Sequence, residues 1–408
     1  MPLLIRPAVD DDYPALARLS VHAYPFVPDS AAARADRYRE SVRVLGAERF
    51  VVERDRRHVG QYACFPFTGW WGGVASPVGG LASVAVAPEA RRTGVAAAIL
   101  RHHLDHLRAR RAPWSMLYPF AARFYAAHGW SPVAQLTRWR FAPDEIPLHP
   151  ERAAVERLDL ADGKTLAAVQ RAYERSCART NGSLSRPAAD LAARWSGERR
   201  VVVGVRDGDE IAGYLLAVHR APTARPQTLV VPEWVADDAR ACRALLGFLA
   251  AQADQVAAIE LDAPVGEPIG ALLDRRAAAF EPLESPEGCI AEASVWSGAM
   301  ARVVDLAGAL AGRGYPGGDG RVSFAARDPD LPENDREVVL TVDGGVPRVE
   351  PGRARTIVRG PIGAVTQVLT GALPLAAAAR FGRLAVEGDL AAASRMLALP
   401  PPFPLVAF

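Results

Sequence analysis

An α/β fold, passing to α+β in its last third, is predicted by three observations: the chain is long and apolar enough for several cores, one order of elements occurs twice, and the remainder follows a different order. With 408 residues, 50% of them apolar, the chain exceeds what one hydrophobic core usually organises and suits two or three domains. The repeated order is strand, acidic helix start, helix, hairpin, strand, helix. It occurs over residues 1–147 and again over 148–295, and repetition on that scale marks a duplicated unit.

In the first copy a short apolar strand at 3–5 leads through Asp10, Asp11 and Asp12 to a helix over 13–24, the acids suiting the positive end of a helix dipole. The second copy has a strand at 155–158, acids at 159 and 162, and a helical run at 166–173. The hairpins correspond as well, 48–52 with 59–62 against 198–203 with 211–214, each joined by a charged turn. A third correspondence sets strand 81–86, Pro88 and a helix over 93–107 against strand 228–231, Pro232 and a helix over 237–251. From about Trp296 the order changes to a helix over 299–311, a Gly-rich turn at 312–320, and strands at 321–326, 337–342 and 354–358. These predict a third, α+β unit over 296–408. Pro400, Pro401, Pro402 and Pro404 exclude a helix there and predict an extended end over 405–408.

Lys+Arg number 48 against 46 Asp+Glu, a formal net charge of +2, and the arginines do not gather in runs. Nothing here has the electrostatic footprint of a nucleic-acid or anionic-membrane binder. Lys164 is the only lysine, and the Arg-rich, Ala-rich texture points to a GC-rich bacterial genome. Cys64, Cys177, Cys242 and Cys289 are far apart without Cys-x-x-Cys spacing, and read as small buried residues of a reducing cytoplasm. No apolar stretch has the placing of a signal peptide or the length of a membrane span.

The chemistry-bearing stretch follows the 81–86 strand. Arg91-Arg92-Thr93-Gly94-Val95-Ala96-Ala97 opens a helix there, whose first backbone N–H groups lack intrahelical partners and, with the helix dipole, suit a pyrophosphate. Gly94 lets phosphate oxygens approach the backbone, and Arg91 and Arg92 add positive charge. After that helix and a strand at 114–117 comes Phe124-Tyr125-Ala126-Ala127-His128-Gly129-Trp130.

With these residues the sequence resembles the Gcn5-related N-acetyltransferase (GNAT) superfamily, in its strand followed by Arg-x-x-Gly-x-Ala and its later Tyr ahead of a Gly-aromatic pair. Two such units followed by a sterol-carrier-like unit resemble, along the whole chain, the enhanced intracellular survival family of mycobacterial aminoglycoside acetyltransferases. The resemblance implies an acyltransferase that uses acetyl-CoA as co-substrate and no metal, acts on a primary amine, and assembles as a homo-hexamer in the cytoplasm. It implies backbone contacts to the thioester and pantetheine arm from Val84, Ala85 and Val86, pyrophosphate contacts from Arg91, Arg92, Thr93, Gly94, Val95, Ala96 and Ala97, and further cofactor contacts at Phe120 and Ala121. Tyr125 would be the general acid, and Phe408, through its terminal carboxylate, the general base. The chemistry agrees with such roles: the attacking amine loses a proton, the tetrahedral oxygen needs a donor, and the departing thiolate needs protonation.

The second copy carries Glu233-Trp234-Val235-Ala236-Asp237-Asp238 where the first has its Gly-bearing turn, and carboxylates at a helix start repel phosphate. It is expected to bind no CoA. His102 and His106 have metal-ligand spacing but no acidic third ligand, and His128 reads as a surface-loop residue. Two departures bear on the acceptor: Ala407 stands where the mycobacterial proteins carry an acid, and 25–28 hold no charge, with Asp29 next. The alternatives are a lipid or acyl-chain binding protein with a non-catalytic CoA site, and an acetyltransferase of peptide or protein N-termini.

Overall fold

The computed structural model describes residues 3–27, 29–195, 197, 199–220, 227–274 and 292–404, which divide into two compact units: 1–134 with 181–186 and 298–408, and 135–180 with 187–297.

The first unit begins with β1 (Leu4–Pro7), α1 (Tyr13–Ala23), α2 (Ala31–Leu45), β2 (Glu48–Arg54), β3 (Arg57–Trp71), β4 (Val74–Val86), α3 (Val95–Ala109), β5 (Trp114–Leu117), α4 (Ala122–Ala126) and β6 (Ser131–Pro132). Ser30 caps α2 through its hydroxyl, and Gly46 ends that helix in the left-handed region, each residue type being suited to its end. In α3 the buried residues Val95, Ile99, Leu100, His103, Leu104 and Leu107 fall on one helical face. His102 and His106 are packing and pairing residues: the Tyr62 hydroxyl lies 2.6 Å from Nδ1 of His102, and Nε2 of His106 lies 3.3 Å from Glu48.

The second unit holds β7 (Gln135–Phe141), β8 (Val155–Arg157), α5 (Gly163–Arg179), α6 (Ala188–Trp195), β9 (Arg200–Asp207), β10 (Glu210–Arg220), β11 (Gln227–Ala236), α7 (Ala239–Ala250), β12 (Val256–Pro264) and β13 (Ala293–Ser297). Its strands run in the order β13-β7-β12-β11-β10-β9-β8. Pro232 lies inside β11, and its missing N–H is tolerated because the parallel pairing with β12 ends at Val231.

The chain then returns to the first unit with β14 (Met300–Val303), α8 (Leu306–Ala311), β15 (Gly320–Arg327), β16 (Val338–Asp343), β17 (Val346–Pro351), β18 (Ile357–Pro361), α9 (Ile362–Thr370), α10 (Leu375–Arg380), β19 (Ala385–Glu387) and α11 (Leu390–Leu397). A five-stranded sheet, β17-β16-β15-β18-β19, packs against the buried α9. The expected helix over 299–311 is therefore only its second half. Met300, Ala301, Arg302 and Val303 are all buried and form a strand between β5 and β6, giving the first sheet the order β1-β2-β3-β4-β5-β14-β6. A strand buried on both faces has no alternation to betray it, and Ala and Met read as helix formers. Arg302 is tolerated there because its guanidinium meets Asp328 at 2.5 Å and the His128 carbonyl at 2.7 Å, a satisfied buried charge.

The Pro-rich end packs down as far as it is described. Phe403 is buried, its N–H donates to the Asn181 carbonyl at 2.8 Å, and its own carbonyl accepts from the Ser183 hydroxyl at 3.1 Å. Residues 405–408, with Phe408 among them, lie outside the described residues, as does Cys289. Cys64 and Cys177 are buried and Cys242 is half-buried. Among the described residues no helix is long and apolar enough to cross a membrane.

Candidate active site

The site starts from a fault in a strand. β3 and β4 pair Gln61 with Ala85 and then Ala63 with Ala82, so Tyr62 alone faces Ser83 and Val84. Ser83 takes a φ of 53°, and the extra residue makes a β-bulge that bends β4. On its other edge β4 pairs in parallel with β5 only as far as Gly80 opposite Met116. Beyond that point the strands part, and the backbone of 81–86 is left without its β5 neighbour. Such an edge offers main-chain N–H and C=O groups to whatever enters the gap. The Tyr24 hydroxyl enters from one side and donates to the Val84 carbonyl at 2.7 Å.

The gap leads to the turn before α3. Arg92 and Gly94 have φ of 62° and 85°, and two left-handed residues so close together curl the backbone into a concave run of N–H groups suited to anions. Thr93 fixes the curl, donating from Oγ1 to the Ala90 carbonyl at 2.8 Å and accepting from Arg54 at 3.1 Å. Gly94 is the N-cap of α3, which has no side-chain cap, so the first amides of that helix keep their donors. A Cβ built on Gly94 would meet nothing within 4 Å. The requirement for Gly is thus conformational, and the space in front of it is the cavity itself.

That cavity, of about 660 Å³, brings together Val84, Ala85 and Val86 of the bulged strand, Arg91, Arg92, Gly94, Val95, Ala96 and Ala97 of the turn and helix, and Phe120. Tyr24, Phe26 and Phe124 line it too, none of them expected there from the sequence; the Tyr-Pro-Phe step after α1 and the aromatic next to Tyr125 were the available signals. Ala121 sits just outside this set as the N-cap of α4.

Tyr125 lies on α4 with 3% of its surface exposed. Its ring is edge-on to Phe120 at 5.5 Å, Phe124 at 5.1 Å and Trp130 at 6.4 Å. Burial pushes its phenol above the ordinary tyrosine range, with Tyr24 adding to the effect. Burial likewise pushes Tyr24 up to about 12. Both phenols therefore stay protonated at neutral pH and keep a proton to donate. His128 is mostly covered, unlike a surface-loop residue, with Nδ1 at 2.8 Å from Asp330.

The second unit repeats the parting of strands without the turn. β11 leaves β12 after Val231, and the register of β10 against β11 shifts at the same level. There Asp238 caps α7 itself, accepting from the Ala241 N–H at 2.7 Å, while Asp237 is held by Arg175 and Arg179. The helix start is thus capped by the chain's own carboxylate, and an incoming phosphate would have to displace Asp238.

A bulged, splayed strand leading into an uncapped helix start with an arginine pair defines an acyl-CoA-dependent acyltransferase of the GNAT fold. The acetyltransferase (GNAT) domain family matches residues 4–133 and, through a second family of the same description, 182–303; the sterol carrier protein domain family matches 306–404. The chain thus carries two tandem GNAT acetyltransferase domains followed by a sterol carrier protein domain. In fold it is similar to a GCN5-related N-acetyltransferase from Anabaena variabilis (TM-score 0.83, 21% identity, 99% of each chain covered). It is also similar to one from Kribbella flavida (TM-score 0.82, 23% identity, covering 100% of this chain and 98% of that one). A third such structure is Eis1 from Mycobacterium abscessus (TM-score 0.79, 21% identity, covering 99% of this chain and 100% of that one). No curated protein matches the sequence.

Proposed function

We propose that the chain is an Eis-like bacterial enzyme of the cytoplasm that transfers acetyl from acetyl-CoA to a primary amine by direct attack, at one site per chain. The observation that carries this reading is the joining of the Ser83 bulge, the parting of β4 from β5 after Gly80 and the open turn at Gly94 into one cavity. The proposed division of labour is a catalytic region at 1–147, a cofactor-free GNAT-like region at 148–295, and a sterol-carrier-like region at 296–408 that ends in a catalytic terminus. A homo-hexamer is the assembly carried over from the resemblance.

Acetyl-CoA supplies, when bound, an acyl group activated as a thioester. The backbone of Val84, Ala85 and Val86 holds the arm that carries it, the Val86 N–H facing the oxygen that gains charge on attack. Arg91, Arg92 and the amides from Thr93 to Ala97 hold the pyrophosphate, with Phe120 and Ala121 flanking the arm. Tyr125 donates its proton to the departing thiolate. The buried, protonated state of its phenol supports that role. The terminal carboxylate of Phe408 takes the amine's proton, a role supported by the docking of the chain up to Phe403. Removal from water would raise that carboxylate's proton affinity into a useful range.

The test is thiol release from acetyl-CoA in the presence of amines. Native protein is expected to release thiol only when an amine is present, and equal release without one would contradict acetyl transfer. A short C-terminal extension should leave acetyl-CoA affinity unchanged and lower turnover at least about 10-fold, as loss of a positioned base does. Full activity in the extended protein would remove Phe408 from the mechanism. Aminoglycosides and lysine side chains are the acceptors that the resemblance offers, and the charge of the cavity wall discriminates between such amines.

A further inference from the structure

The loop between α1 and α2 is fastened from inside. Arg34, with 2% of its surface exposed, donates from Nη1 to the Ser20 carbonyl at 2.7 Å, from Nη2 to the carbonyls of Tyr24 at 2.9 Å and Val27 at 2.7 Å, and from Nε to that of Asp29 at 3.3 Å. One guanidinium thus collects the carbonyls that close α1 and shape the loop, a fixed fork that a lysine could not reproduce. The loop is built, and what it holds out is an apolar ring. Phe26 is 77% exposed and lines the cavity beside Tyr24, which it meets edge-on at 6.0 Å.

Phe120, 65% exposed, lines the cavity as well, stacked on Phe124 at 6.3 Å. An aromatic ring held out into water on a fastened loop is poorly placed for stability and well placed for contact with a ligand. The charge on the wall points the same way. Among the described residues lining the cavity the charged groups are Arg91 and Arg92, and there is no carboxylate. Asp29, the acid closest in sequence to Phe26, is tied to Arg37. Both arginines are the residues proposed to hold the pyrophosphate, so beyond the proposed Phe408 terminus the described lining offers a polycation no carboxylate to pair with.

From this we infer that the acceptor is an amine carried on an aromatic or apolar body, seated against Phe26, and not a polycation such as an aminoglycoside. Arg34 is a positioning residue for that seat. The inference rests on the acetyltransferase reading and narrows its acceptor.

The experiment compares 2-phenylethylamine, kanamycin and spermidine as acceptors for the full chain by thiol release. 2-Phenylethylamine should exceed both polycations in kcat/KM by about 10-fold or more, the discrimination an apolar pocket gives. Phe26→Ala should raise its KM about 10-fold, with kcat and acetyl-CoA affinity within about 3-fold of the native values, because an interaction made equally in ground and transition states affects KM alone. Phe26→Asp should shift preference toward kanamycin. A native preference for kanamycin or spermidine, or an unmoved KM in Phe26→Ala, would overturn the inference while leaving acetyl transfer intact. Absence of release with every amine would overturn acetyl transfer and the inference together.

Discussion

The two repeats start from the same backbone device and diverge at the residues that follow it. In both, a strand shifts register against its hairpin partner and parts from the next parallel strand, after Gly80 in the first repeat and after Val231 in the second. The first then curls through Arg92 and Gly94 into a helix start with no side-chain cap. The second continues as β11 to Ala236 and reaches a helix capped by Asp238. A gap between strands is thus common to both repeats, whereas a helix start with open amides depends on two or three residues and is closed when a carboxylate caps it. The repeats differ again further on. The first follows β5 with Tyr125, and the second has no tyrosine between β12 and Leu273.

The comparison can be broken most sharply at Tyr125. Tyr125→Phe should lower kcat by about 10²- to 10⁴-fold with acetyl-CoA affinity nearly unchanged, as expected for a positioned general acid. Steady-state kinetics showing a near-native rate would make the phenol a packing group and remove one of the two differences between the repeats.

His103 offers a smaller contrast, because α7 of the second repeat has no histidine. His103 is fully buried, with Nε2 at 2.9 Å from the Ser115 hydroxyl, and burial holds its pKa down to about 3. Between that value and the ordinary histidine value the unfolded chain binds a proton that the folded chain cannot, so stability falls as pH is lowered through this window. The loss at pH 5 relative to pH 7 should be about 2 kcal/mol. Urea unfolding followed at both pH values, in native protein and in His103→Gln, checks it: the variant should lose that part of the pH dependence.

The smallest effect is expected at the second repeat's own cap. Asp238→Ala should cost about 1 kcal/mol of stability, the usual value of an N-cap, measured by urea unfolding, and should create no second cofactor site. Gain of acetyl-CoA binding in that variant would mean that the carboxylate alone keeps the repeat empty.

Much of the site was legible because its chemistry is carried by residue types. Gly94, Arg91 and Arg92 suggest a phosphate turn through residue type and spacing, Tyr125 enters as a proton donor only through the resemblance to acetyltransferases, and the hairpins announce themselves through charged turns between apolar runs. What stayed hidden depends on register and long-range pairing. Ser83 is an ordinary strand residue until Tyr62 faces two residues at once. Arg34 looks like one more helical arginine, and only the fold shows it gathering the carbonyls of the loop that holds Phe26. The strand at Met300–Val303 reads as helix because its partners, β5 and β6, lie far away in sequence. Likewise nothing local in Gln135–Phe141 says that it pairs with β12 and β13.

The central claim, that one repeat holds the cofactor and the other does not, is tested most directly by calorimetric titration of the full chain with acetyl-CoA. A stoichiometry of one per chain is expected in the native protein, and none in Gly94→Asp, where a side chain and a negative charge would stand in the space the pyrophosphate requires. Two sites per chain, or undiminished binding in Gly94→Asp, would contradict it.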